Sequence, residues 1–77
     1  MNASIRIEAE IYKKDRTGEF YVKYTPVMVG GNLASGELRF AAWECPLLDG
    51  ADAHRETMLK ARANACNAMQ TIALEVA

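Results

Sequence analysis

The hydrophobic period of this chain changes once, from two residues to about 3.6, and the change falls between Pro46 and Asp52. Ahead of it, apolar and polar residues alternate as they do in half-buried strands. Behind it, from about Ala53 to about Val76, no Gly or Pro occurs, and Ala, Met, Leu, Lys, Arg and Glu predominate, all good helix formers. One long helix must therefore share a core with a small sheet, because neither element buries its apolar side alone.

The strands follow from the alternation. Ile5, Ile7, Ala9 and Ile11 fall on one face, with Arg6, Glu8, Glu10 and Tyr12 on the other. Lys13 to Gly18 reads as a hairpin turn, with Asp15 opening a type I turn and Gly18 in the left-handed position. In the second strand Phe20, Val22 and Tyr24 share a face, and Tyr21, Lys23 and Thr25 point the other way. Pro26 cannot donate a ladder hydrogen bond, so this strand ends there, bulges, or continues beyond the reach of its neighbours. Gly30-Gly31-Asn32 and Ser35-Gly36 predict a mobile connection around Leu33 and Ala34. A third strand fits Glu37 to Glu44, with Leu38, Phe40 and Ala42 on one face and Arg39, Ala41 and Trp43 on the other, until Pro46 stops it. If the parity shifts after Pro26, Trp43 becomes a core residue instead.

Asp49 and Asp52 are the candidate N-caps of the helix, and Glu56 adds negative charge near the positive end of its dipole. At about 100° per residue, Met58, Ala61, Ala65, Ala68, Met69, Ile72 and Val76 form one stripe, opposite Glu56, Lys60, Asn64, Asn67, Thr71 and Glu75. The small middle of that stripe lets the axis approach the large residues Ile7, Phe20, Val22 and Phe40 of the sheet. Arg62 at its edge and Leu74 among the polar positions read as a snorkelling arginine and a single exposed leucine. The expected fold is α+β: a three-stranded antiparallel meander with one long C-terminal helix packed on one face, in the order β-β-β-α. At 77 residues, with 51% hydrophobic and 25% charged, the chain has surface for one core and forms a single domain over residues 1–77. The layout is similar to that of the arm-binding domains of phage-type integrases and of small inhibitor proteins from mobile elements, in layout alone and not by motif.

Several chemistries are disfavoured. No apolar run approaches the roughly 30 Å of hydrocarbon in a membrane, and the amino terminus lacks the basic-then-apolar order of a secretory signal, so the expected compartment is the cytoplasm. Cys45 and Cys66 then read as reduced thiols, and Asn2-Ala3-Ser4 has no meaning as a glycosylation acceptor. His54 is the single histidine, with no phosphate loop, Cys-x-x-Cys or His-Glu-x-x-His beside it. Cys45, Cys66, His54, Asp49 and Asp52 match no metal-ligand spacing. The chain is accordingly expected to have no cofactor, no metal and no catalytic activity.

If the helix covers one sheet face, parity leaves Arg6, Tyr12, Tyr21, Lys23, Arg39 and Trp43 on the other. Tyr, Trp and Arg are the residue types that most often anchor protein interfaces, so the expected partner is another protein, bound stoichiometrically by an inhibitor or adaptor. The plain alternative is that these aromatics lie down as cross-strand pairs that merely support the sheet. A nucleic-acid platform, with bases on the aromatics and phosphates on Arg6, Lys23 and Arg39, is the weaker reading. Nine basic against ten acidic residues, and six against five within residues 1–40, give little surplus charge for phosphates. The length of the helix, about 36 Å against about 27 Å for an eight-residue strand, predicts an overhanging end with Ile72, Leu74 and Val76 exposed. That end and the unpaired edge strands predict a homodimer.

Overall fold

The computed structural model describes residues 4–14, 16–30 and 36–76, with side chains as far as Ala68. The expected roles of Asp15, of the 31–35 connection and of the Met69, Ile72, Leu74 and Val76 side chains lie outside the described residues. The fold is the expected α+β arrangement: an antiparallel sheet followed by one long helix. Strand β1 (Ser4–Lys13) pairs with β2 (Phe20–Val29) over all ten residues, from Ser4 opposite Val29 to Lys13 opposite Phe20. The turn between them is closed by Lys14 N–H to the Glu19 carbonyl and by Gly18 N–H to the Lys14 carbonyl, both 2.9 Å. Gly18 has φ 72°, a conformation that side chains with a Cβ rarely adopt.

The other side of β2 departs from a single third strand. Two short strands, β3 (Glu37–Arg39) and β4 (Trp43–Pro46), pair in succession with β2, separated by Phe40, Ala41 and Ala42. Val27 faces Arg39 and Tyr24 faces Trp43, so two residues of β2 stand against three on the opposing segment. This extra residue is a bulge, and it inverts every face assignment beyond it. Pro26 supplies the cause. Its carbonyl accepts the Phe40 N–H at 3.0 Å, which shows that its polar groups point toward the interrupted side. In antiparallel strands a residue's N–H and C=O point the same way, so the donor that proline lacks would have faced the gap. The β1 ladder is untouched, and β2 runs through Pro26 to Val29.

Three expectations are corrected here. Trp43 sits opposite Tyr24, on the helix side of the sheet and not on the far face, yet it is still 40% exposed. Phe40 and Ala42 line a depression on the far face with Glu8, Lys23, Thr25 and Arg39, so Phe40 is no partner of the helix. At the start of the helix neither aspartate is the cap. A 3-10 turn (Leu47–Asp49) leads into Gly50, whose carbonyl accepts the His54 N–H at 3.2 Å and so opens α1 (Ala51–Val76). Asp52 lies in the first turn, where its charge suits the helix dipole.

The helix stripe is as expected through Ala68: Ala61 and Ala65 are fully buried, Met58 packs on a core of Val22, Tyr24 and Cys45 with Ile7, and Arg62 is exposed. Alanines at the contact let α1 sit close over β2 and β4, whereas β1 touches it much less than those two do. No helix among the described residues is long and apolar enough to cross a membrane.

Candidate functional site

The two faces of the sheet carry different chemistry. On the face away from α1, the end nearest Val29 holds a closed ring of charges. Arg6 Nη2 donates to Glu8 at 2.8 Å and to Glu37 at 2.9 Å; Arg39 donates from Nη1 to Glu37 at 2.8 Å and from Nη2 to Glu8 at 3.0 Å. In register Arg6, Val27 and Arg39 form one row across three strands, so the Arg6–Glu37 and Arg39–Glu8 pairs both cross β2. Beneath them Val27 is 0% exposed. The ring is therefore a roof over an apolar residue of the supposedly bare face, made of guanidiniums and the stems that carry them. Hydrogen bonds from the two arginines hold the Glu8 and Glu37 carboxyls below their ordinary range, Arg6 leading at Glu8 and Arg39 leading at Glu37.

A second cluster occupies the hairpin end of the same face. Tyr12 hydrogen-bonds the Glu44 carboxylate, and Lys14 Nζ pairs with Glu44 at 3.0 Å, again reaching over β2. Lys14 also lies 4.0 Å above the ring of Tyr21, which stands against Tyr12 with centroids 6.2 Å apart. The bond from Tyr12, then that from Lys14, holds the Glu44 carboxyl below its usual range. Between the two clusters Lys23 pairs loosely with Glu10, at 3.8 Å, and its charge also favours the ionised Glu44. Five of the six expected partner residues, Arg6, Tyr12, Tyr21, Lys23 and Arg39, thus share this face, and Trp43 does not. Four of the five are engaged within the chain, as in the cross-strand alternative.

The helix side carries what alternation did not foresee. The strand residues Ile11 and Phe20 point to this side but are 60% and 51% exposed: Ile11 lies on β1, beside the strands that α1 covers, and Phe20 lies at the hairpin end of β2, past its pairing with β4. Leu47 and Leu48 of the 3-10 turn are 37% and 94% exposed beside them. One cleft runs between Phe20, Pro46, Leu47 and Leu48; an adjoining one is lined by Ala9, Ile11, Val22, Tyr24 and His54. Together they form an apolar strip from the hairpin to the helix start.

At the floor of that strip Cys45, His54 and Tyr24 meet. His54 Nε2 lies 3.0 Å from the Leu47 carbonyl, which can only accept, so the neutral ring carries its proton there and presents Nδ1 as an acceptor. The Tyr24 hydroxyl donates to Nδ1 at 2.7 Å, and the Cys45 thiol stands 3.2 Å from the same atom. Burial pushes the Tyr24 phenol up, and the adjacent Cys45 adds to the shift. A cysteine beside a histidine that is oriented by a third group has the outline of a nucleophile and its base, a pair that spacing along the sequence did not suggest. Cys45 is only 7% exposed, however, and the arrangement pins the helix start to β2, β4 and the 3-10 turn. The signal for His54 was present: it lies one turn before Met58, on the stripe that faces the sheet. No group of three or more ligating side chains gathers around a point that could hold a metal among the described residues. Compared with family models, with curated proteins and with solved structures, the chain matches none.

Proposed function

We propose that this chain is a non-enzymatic domain that binds another protein stoichiometrically, as an inhibitor or adaptor, and that the apolar strip on its helix side is the docking surface. The observation that carries this reading is the exposure of Ile11, Phe20, Leu47 and Leu48 around one pair of clefts. Large side chains grouped in this way mark interaction sites more often than single exposed ones do. The ion-paired state of Arg6 and Arg39 weighs against the far face as the main anchor and against a phosphate-reading role, since paired guanidiniums have less charge to offer.

Capture from extracts of the source cell, with wild-type and altered chains as bait, tests the choice of surface. A partner held one-to-one by wild type and by Arg39→Ala, and lost on Leu48→Asp or Phe20→Asp, is the expected result. The loss corresponds to about 1–3 kcal/mol for each anchor. Retention by both strip variants alongside loss by Arg39→Ala moves the site to the far face and ends this reading.

A further inference from the structure

We propose that a second copy of this chain docks along the free edge of β1, antiparallel and about a two-fold axis at Glu8, so that two sheets become one. Three observations carry it. First, β1 pairs only with β2 among the described residues, and its other edge is ten residues long, with no Pro and no bulge. Such an edge is a template for another strand unless charge, proline or distortion blocks it. Secondly, α1 lies mainly over β2 and β4 and leaves Ala9 and Ile11 of β1 exposed next to that edge. Thirdly, the sequence of β1 is complementary to itself when reversed, in one register better than in the others.

The choice of register can be argued pair by pair. A symmetric antiparallel pair of β1 strands must set residues of equal parity opposite each other, or the apolar rows would point to opposite sides. Centred on Ala9, it sets Glu8 against the partner's Glu10 twice, which is repulsive. Centred on Ile7, it sets Arg6 against the partner's Glu8, a carboxylate already taken by Arg6 and Arg39 of its own chain. Centred on Glu8, it sets Arg6 against the partner's Glu10, Ile11 against the partner's Ile5, and Ala9 against the partner's Ile7. The charges fit what each side chain has to spare. Glu10 is 70% exposed, and its ion pair among the described residues is the loose one with Lys23 at 3.8 Å. Arg6 uses Nε and Nη2 for Glu8 and Glu37, and its Nη1 makes no hydrogen bond within the described residues. The two Glu8 carboxylates meet at the axis as one like-charge pair, against two such pairs in the register centred on Ala9, and each is held by its own Arg6 and Arg39.

The inference shares Ala9 and Ile11 with the apolar strip but rests on the edge of β1, so its measurements are chosen to report that edge alone. In sedimentation equilibrium the mass of the wild-type chain should rise from 8.5 kDa toward twice that value between micromolar and millimolar concentration. Glu10→Lys, which sets a cation against the partner's Arg6, should weaken the association about tenfold. Opposed residues of antiparallel strands have Cα atoms about 4.5–5.5 Å apart, within disulfide reach. Glu8→Cys in a Cys66→Ala background should therefore form a covalent dimer on mild oxidation, at protein concentrations where Ile7→Cys and Ala9→Cys do not. A mass that stays at 8.5 kDa to millimolar concentration, or preferential cross-linking at position 7 or 9, overturns the proposal.

Discussion

The two faces of this sheet exchange the roles that alternation assigns to them. Val27 lies on the face without a helix and is completely buried, while Ile11 lies on the face with the helix and is 60% exposed. The difference is one of cover. A helix with its side chains is about 10–12 Å wide, and neighbouring strands are about 4.8 Å apart, so one helix shelters roughly two strands of three. Here it shelters β2 and β4, and the hairpin half of β1 is left over. On the far face, four long charged side chains that pair across the central strand provide the shelter instead. Parity thus tells which side of a sheet a residue points to, and the width of the covering layer decides whether it is buried.

The sharpest way to break the comparison is to shrink the residue beneath the charges. Val27→Ala removes two methyl groups from a fully sheltered site and should cost about 1.5–3 kcal/mol. A lower urea midpoint at unchanged slope would report it. If the midpoint does not move, the roof is open in solution and the far face is as bare as alternation implies.

A smaller effect should follow from acid. The Glu8 and Glu37 carboxyls titrate below their ordinary 4.5 because the Arg39 and Arg6 guanidiniums hydrogen-bond the charged form. A carboxyl depressed in the folded state stabilises it above the unfolded pKa, and that contribution disappears as pH falls through the folded value. Arg39→Ala should therefore be less stable than wild type at pH 7, and the gap should narrow as the pH falls below about 4.5. A gap that is the same at pH 7 and at pH 3 assigns the effect to the arginine stem alone and removes the charges from the account.

Much of this was legible in the sequence. The first hairpin, the helix and its stripe through Ala68 needed only periodicity, and Gly18 marked the turn. The three-row meander was legible too, but the bulge within its third row was not. Pro26 announced trouble, yet whether its missing donor would face β1 or the third row depends on hydrogen-bond parity, which sequence alone does not fix. A shift of one residue then carried Trp43 to the other face. The Cys45–His54–Tyr24 contact depends on the same shift, because Cys45 comes under the helix only in the bulged register. The ring of Arg6, Glu8, Glu37 and Arg39 joins residues 31 positions apart, and its members were visible only as separate charges on one face.

The smallest expected effect is the most telling for the surface proposed to bind a partner. Ile11 alternates in register with Ile5, Ile7 and Ala9, so a reading by parity makes it a core residue whose loss costs several kcal/mol. Its 60% exposure instead predicts that Ile11→Thr, which keeps the β-branch and the strand preference, changes stability by no more than about 0.5 kcal/mol. The measurement belongs at protein concentrations low enough to hold the chain as a monomer, because association through β1 would bury Ile11 against the partner's strand and add a cost of its own. A destabilisation above about 2 kcal/mol under those conditions means that something within the chain covers the strip. The helix would then be wider in its reach than its contacts with β2 and β4 indicate, and the strip would be core and not a docking surface.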